Sequence, residues 1–140
     1  MLILSIFNSV VVALAVLVHY EFLRLLSGIL PRLRVRYRFR IAFGVIGSLC
    51  GHTAAIWIFA FAYYIMIHHM TVGTLYGDPD LSLVTCAYFS FTTYSSLGYG
   101  DIVPIGDLRY LAGLEALTGL VMIAWTASFL YYEMERYWRE

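Results

Sequence analysis

The residues whose types and spacing suggest chemistry are Ser96-Leu97-Gly98-Tyr99-Gly100, followed by Asp101. Gly98 and Gly100 have no Cβ atom, so the backbone on either side of Tyr99 can adopt conformations that are closed to other residues. A backbone with that freedom can direct successive carbonyl oxygens to one side of the chain. The chemistry expected of this segment is therefore that of backbone oxygens.

The elements that must position this segment are membrane helices. The chain has 140 residues, of which 61% are hydrophobic and 13% charged, whereas a soluble domain is about a quarter charged. Three segments reach the roughly 20 apolar residues that a spanning helix needs: Leu2 to Tyr20, Ile41 to Ile67 and Tyr110 to Tyr132. A shorter apolar stretch, Leu81 to Thr93, suits a re-entrant helix. The first segment lacks the basic region of a signal peptide, so we expect it to be retained.

The arginines predict the orientation. All nine basic residues are arginines, and six of them lie between Arg24 and Arg40, so that loop is expected in the cytoplasm. The protein is then expected in the plasma membrane, or in the inner membrane of a bacterium. Its N-terminus would lie outside the cell, and residues 133–140 would lie in the cytoplasm. The outer loops carry four aspartates, which raise the local cation concentration: Asp78, Asp80, Asp101 and Asp107.

The rest of the sequence predicts no enzyme and no bound cofactor. It has no nucleophile paired with a general base and no phosphate-binding loop. Cys50 and Cys86 lie in apolar segments, which argues against a cysteine-based metal site. A metal site shared by the histidines is not expected, because ligands must converge and these residues are predicted at different depths: His19 at the inner face, His52 near the middle, and His68 and His69 at the outer end.

A short helix is predicted directly before the glycine-containing segment. Asp78-Pro79-Asp80 is a typical helix start, with a carboxylate available as a cap. Leu81 to Tyr94 would form a helix about 20 Å long. The C-terminal end of this helix, which carries a partial negative charge, would point inward from the outer side and could stabilise a cation.

In this context the segment resembles the selectivity filter of potassium channels of the pore-loop superfamily. The family pattern is Thr-Thr-Val-Gly-Tyr-Gly-Asp, often preceded by two aromatic residues, which are Tyr88-Phe89 here. The resemblance implies that a filter of residues 96–100 coordinates K⁺ through stacked rings of carbonyl oxygens, contributed by Ser96, Leu97, Gly98 and Tyr99. It also implies support of the filter by Tyr88, Phe89, Ser95 and Asp101. Because a filter needs four pore loops, it implies a homotetramer.

The chain departs from the family pattern at two positions. Ser96 replaces a threonine and lacks the methyl group that stiffens χ1, and Leu97 replaces a β-branched valine. Gly-Tyr-Gly is intact, so we expect a potassium-selective channel subunit. Two alternatives stay open. One is a weakly selective cation channel, and the other is a non-conducting accessory or scaffold subunit that keeps a vestigial pore loop.

Three further features of the spans indicate function or packing. Glu115 is a carboxylate within the third span and is expected to support the filter by bonding hydroxyls of the pore helix, such as those of Thr93, Tyr94 or Ser95. Gly119 is a candidate gate hinge by resemblance to the family's inner helix, or a site of close packing. The second span carries small residues suited to close helix contact: Gly44, Gly47 and Gly51.

The arginine loop has two interpretations. Its alternating arginines lack the three-residue period of a voltage-sensing helix, so a positively charged cytoplasmic loop is expected. Binding of anionic lipid is the sharper alternative. The arginines concerned are Arg32, Arg34, Arg36, Arg38 and Arg40.

The sequence thus predicts an all-α membrane protein with three transmembrane helices, and with a re-entrant pore helix and filter between the second and third. Its parts are an N-terminal helix (1–20), a cytoplasmic arginine-rich loop (21–40), a pore domain (41–132) and a cytoplasmic tail (133–140). The third helix is expected to line the central cavity, with lining residues among Leu117, Thr118, Val121, Met122 and Trp125.

Overall fold

The computed structural model describes residues 2–138, without the side chains of residue 37 and residues 136–138, so the last two residues of the predicted tail lie outside it. Within that range the helices are α1 (Leu2–Ile29), α2 (Tyr37–Ile65), α3 (Leu83–Tyr94) and α4 (Leu108–Trp138). Two short strands flank the central segment, β1 (Gly73–Tyr76) and β2 (Val103–Gly106). A 3₁₀ turn (Leu30–Arg32) follows α1, and a π-helical turn (Met66–Met70) follows α2.

Three of the helices are long and apolar enough to cross a membrane. By length and composition the candidate spans are Leu2–Arg32, Arg38–Met70 and Leu108–Glu135. Helix α3 has 12 residues and is only about 18 Å long, too short to cross. The predicted fold class, an all-α membrane protein with three spanning helices, is confirmed, and the chain is a multi-pass membrane protein.

The connection between α1 and α2 is shorter than the sequence suggests. Helix α1 continues through Glu21 and Arg24 to Ile29, and α2 already begins at Tyr37. The two charges are tolerated because they pair with each other at 3.2 Å on an exposed face. Most of the predicted loop 21–40 is therefore helical, and the 3₁₀ turn with residues 33–36 makes the reversal.

Helix α1 packs against the small residues of α2. A Cβ atom added at Gly47 would meet the side chain of Leu26, and one added at Gly51 would lie 3.0 Å from Phe22 Cβ. The buried face of α1 repeats every three or four residues, as expected for one side of a helix: Asn8, Val11, Ala15, His19, Leu23 and Leu26. The small residues of the second span thus serve close helix packing.

The two strands tie the end of α2 to the start of α4. They pair antiparallel with Gly73 opposite Gly106 and Tyr76 opposite Val103. A Cβ atom at Gly73 would collide with the backbone oxygen of Ile105, so glycine is required by the close approach of the two chains. These strands frame the segment between them and were not predicted.

Helix α3 is capped by a different residue from the one expected. Ser82 is the N-cap, and its hydroxyl oxygen accepts from the Thr85 amide at 3.2 Å. Asp78 instead accepts from the Asp80 amide and the Thr85 hydroxyl, both at 2.9 Å. These two hydrogen bonds hold the pKa of Asp78 below its usual range. The Asp78 carboxylate thus stabilises the turn before α3 through an Asx turn. It does not cap the helix, because it lies four residues before the N-cap Ser82.

Candidate functional site

The segment after α3 has left-handed backbone at every second residue. The φ angles are +57° at Ser96, +50° at Gly98 and +79° at Gly100. Glycine adopts such angles freely. Serine does so at a cost of about 1–3 kcal/mol, and for a β-branched residue the strain is greater. Leu97 and Tyr99, which lie between these residues, do not have positive φ angles. The sign of φ therefore alternates along the segment, which suits a backbone that directs successive carbonyl oxygens to one side.

The first half of the segment is bonded to the last turn of α3. The amides of Leu97 and Gly98 donate to the Thr92 carbonyl oxygen at 2.9 and 3.1 Å, and the Ser96 amide donates to Thr93 at 2.9 Å. The Ser95 hydroxyl donates back to Phe91 at 2.7 Å. The position of the segment is therefore fixed by where α3 ends. Thr92 was not among the predicted support residues.

The outer part of the segment has one open side. Leu97 is 57% exposed and Tyr99 68% exposed. A Cβ atom added at Gly98 or Gly100 would have nothing within 4 Å in the chain. A leucine and a tyrosine that are both exposed on either side of Gly98 are typical of a surface that contacts another molecule.

The predicted aromatic pair lies behind this segment. The Tyr88 hydroxyl donates to Asp101 Oδ2 at 2.6 Å, and this hydrogen bond raises the pKa of Tyr88. Phe89 is buried, with its ring edge-on to Tyr63 at 5.0 Å between centroids. One residue of the pair therefore holds the end of the segment, and the other anchors α3 in the core.

Glu115 is fully buried and joins three helices. It accepts from the Tyr63 hydroxyl of α2 at 2.5 Å and contacts the Ser90 hydroxyl of α3. The expected partners Thr93, Tyr94 and Ser95 were wrong, because Glu115 lies one turn before Gly119 on α4 and meets Ser90, one turn before Tyr94 on α3. Tyr63 was missed, although a tyrosine in a span needs a partner for its hydroxyl, which is a signal in the sequence.

Similarity to known proteins agrees with this geometry. The sequence pattern of a family described as "Ion channel" matches residues 51–135, more than half of the chain. The chain belongs to this ion channel family. The prediction of a pore-loop channel family is therefore confirmed, and so is the expectation that the channel is not an enzyme. The match begins at Gly51, so helix α1 lies outside it.

Two curated relatives match part of this chain. Voltage-gated potassium channel Kch of Escherichia coli (strain K12) is 34% identical over 81 residues, which are 53% of this chain and 19% of the relative. Inward rectifier potassium channel Kirbac3.1 of Paramagnetospirillum magnetotacticum is 39% identical over 56 residues, 39% of this chain and 19% of the relative. The matches thus span 19% of the length of each relative. No solved structure gives a significant match.

Gly119 of the channel is a point of close packing. A Cβ atom there would collide with the carbonyl oxygen of Tyr94, the last residue of α3. Helix α4 runs without a break from Leu108 to Trp138. The glycine is thus needed for the contact between α4 and the end of α3, and its role as a hinge stays a prediction.

One of the residues expected to line the cavity is buried, and another packs on α1. Met122 is 1% exposed and belongs to the core. Trp125 stacks on Tyr20 of α1, with 6.2 Å between ring centroids. Leu117 and Val121 are exposed by 62% and 60%. Met122 is therefore the residue whose burial contradicts the expectation.

The expectation that the histidines lie at different depths was wrong for one pair. The rings of His19 and His52 are 4.4 Å apart between centroids. His19 lies well inside the membrane span because α1 extends to Ile29. Among the described residues, no group of three or more histidine, cysteine, aspartate or glutamate side chains is placed to hold a metal ion.

Proposed function

We propose that the chain is a subunit of a homotetrameric channel that passes K⁺ selectively down its gradient. The observation that carries the proposal is the alternation of left-handed residues at positions 96, 98 and 100 in a Gly-Tyr-Gly segment. Four such segments around an axis would replace the hydration shell of K⁺ with carbonyl oxygens. The exposed Leu97 and Tyr99 would be covered by neighbouring copies.

The proposal includes an orientation in the membrane. The arginine turn between α1 and α2 lies at the same end of the helix bundle as the C-terminal end of α4. A Cβ atom added at Gly44 would lie 3.4 Å from both the Leu30 and the Leu130 side chains. The strands β1 and β2 lie at the opposite end. The positive-inside rule then places the arginines and the C-terminal residues in the cytoplasm and the filter near the outer face. The membrane would be the plasma membrane, or the inner membrane of a bacterium.

Anionic lipid is proposed to bind at the arginine turn. The side chains of Arg32, Arg34, Arg36 and Arg38 are exposed at the end of the helices, and Arg40 is half-buried with Nη2 2.7 Å from the Leu33 carbonyl. Basic residues at a cytoplasmic membrane surface attract anionic headgroups at about 1 kcal/mol each. The same arginines also satisfy the positive-inside rule, so they would both orient the chain in the membrane and bind anionic lipid.

The proposal is tested by ion flux through the purified protein in liposomes, with K⁺ and Na⁺ compared. Gly98→Ala places a Cβ at a left-handed residue and should abolish or strongly reduce flux. Gly113→Ala is the matched control, since that glycine lies exposed in α4 with nothing within 4 Å of an added Cβ. Its flux should equal that of the wild type.

Each outcome of the flux experiment decides between the proposed functions. K⁺ flux above Na⁺ flux that is lost only in Gly98→Ala supports a selective filter. Equal flux of both ions, still lost in Gly98→Ala, would replace the proposal with a weakly selective cation channel. Absence of flux together with a monomeric protein would replace it with an accessory subunit.

A further inference from the structure

A chain of polar side chains crosses the channel subunit from α1 to the end of α3. His19 Nε2 on α1 lies 2.9 Å from Thr126 Oγ1 on α4. The His19 ring lies against the His52 ring of α2, at 4.4 Å between centroids. His52 Nδ1 lies 2.8 Å from the hydroxyl of Tyr94 on α3. Contacts among these four side chains therefore link all four helices.

These polar groups lie where an apolar packing would be simpler. His19 is fully buried, and Thr126 and Tyr94 are 6% and 2% exposed. Burying polar groups in an apolar bundle is costly unless they are paired, and polar residues inside membrane spans commonly serve function. Residues 51–135 match the family pattern, so His19 is a contribution of the additional helix.

The chain of contacts ends at the residue that fixes the filter. The Tyr94 hydroxyl is held by His52. The backbone carbonyl oxygen of Tyr94 lies against Gly119 of α4. Two residues earlier, the Thr92 carbonyl receives the amides of Leu97 and Gly98. A displacement of Tyr94 would therefore also displace the Thr92 carbonyl oxygen, which accepts the hydrogen bonds of the inner half of the filter.

We propose that His19 and His52 are positioning residues for the filter. His52 holds the end of α3 through Tyr94, and His19 fixes His52 relative to Thr126 on the inner helix. Helix α1 would then contribute to the function of the pore, because it would couple α4, the inner helix, to the filter. This inference rests on the proposed function, since it assigns a role in the selectivity of the same pore.

The first test is the K⁺/Na⁺ permeability ratio, measured from reversal potentials of reconstituted protein. His52→Leu, Tyr94→Phe and His19→Leu should each lower the ratio by roughly fivefold, and the His52→Leu/Tyr94→Phe double variant should be no worse than the poorer single variant. His52→Gln keeps a polar partner for Tyr94 and should restore most of the ratio. Thr53→Val is the matched control, because that hydroxyl bonds only the Leu49 carbonyl of its own helix.

A purely structural role gives a different result in this experiment. The variants would then lower thermal stability and leave the permeability ratio of the surviving channels unchanged. Independent additive losses in the double variant would equally overturn the coupling between His52 and Tyr94.

A second measurement does not depend on conduction. Amide resonances of ¹⁵N-glycine-labelled protein are assigned at positions 98 and 100 by Gly→Ala substitution. His52→Leu and Tyr94→Phe should shift the Gly98 resonance in the same way, and Thr53→Val should leave it in place. If the wild type passes neither ion and is monomeric, the proposed function fails, and an unshifted Gly98 signal in both variants would separately overturn the positioning role.

Discussion

At the scale of single residues, the proposed filter depends on backbone conformation more than on side-chain chemistry. Ser96, Gly98 and Gly100 are left-handed, and nothing in the chain lies within 4 Å of a Cβ added at either glycine. Serine at position 96 is consistent with this, because it enters the left-handed region with less strain than a β-branched threonine. The departure from the family pattern that suggested a looser filter thus relieves backbone strain.

Glu115 gives the first prediction at this scale. Glu115→Ala leaves the buried Tyr63 hydroxyl without its partner, which costs about 1–3 kcal/mol, whereas the Ser90 hydroxyl keeps the Ile56 carbonyl oxygen at 2.9 Å. We expect a clear drop in melting temperature and loss of tetramers in detergent. Glu115→Gln fills the same space and keeps an acceptor, so it should be much milder. Equal stability of the alanine variant and the wild type would show that the carboxyl group does not join the helices.

The hydrogen bond between Tyr88 and Asp101 gives the second prediction. Tyr88→Phe removes the donor at 2.6 Å and should weaken the hold on the Asp101 end of the proposed filter, because Asp101 then loses its tyrosine partner. The expected result is a lower K⁺/Na⁺ permeability ratio with tetramers intact. Phe91→Leu is a control on an exposed position of the same helix. An unchanged ratio in Tyr88→Phe would contradict the anchoring role.

At the scale of helices and strands, the channel is arranged around the end of α3. Helix α4 reaches it at Gly119, and α2 reaches it through His52. None of these contacts is made by the filter itself. The position of α3 is therefore set by its neighbours, and the filter follows from where α3 ends.

The contact between α3 and α4 gives the third prediction. Gly119→Ala would force a Cβ against the Tyr94 carbonyl oxygen and should reduce both K⁺ flux and thermal stability. Gly113→Ala on the same helix meets no other atom and should be neutral or stabilising by up to about 1 kcal/mol. If Gly119 acts mainly as a hinge, Gly119→Ala would change open probability while thermal stability stays at the wild-type level.

At the scale of the whole molecule, one chain presents an incomplete surface. Leu117 and Val121 of α4 are exposed, and so are Leu97 and Tyr99 in the proposed filter. A helix with so much exposed apolar surface faces lipid or other subunits. With α1 occupying one side of α2 and α4, the subunit contacts are expected on the other side.

The assembly and its orientation give the fourth prediction. Native mass spectrometry should give a complex of four chains of 16.0 kDa each. Single cysteines in a Cys50→Ala/Cys86→Ala background should react with an impermeant reagent from outside at position 107 and only from inside at position 34. Labelling of both positions from the same side would contradict the proposed topology.

The sequence by itself determined the membrane class, the three spans, the pore-loop family and the placement of Gly-Tyr-Gly after a short helix, because hydropathy and local backbone freedom are properties of neighbouring residues. Only the tertiary structure decided the partners of Glu115, the packing role of Gly119, the burial of Met122 and the contact between His19 and His52. Those contacts depend on where helices cross, and crossing points are set by side chains far apart in the chain. Helix α1 shows this most clearly, because its extension to Ile29 moved His19 from the predicted membrane surface into the centre of the subunit.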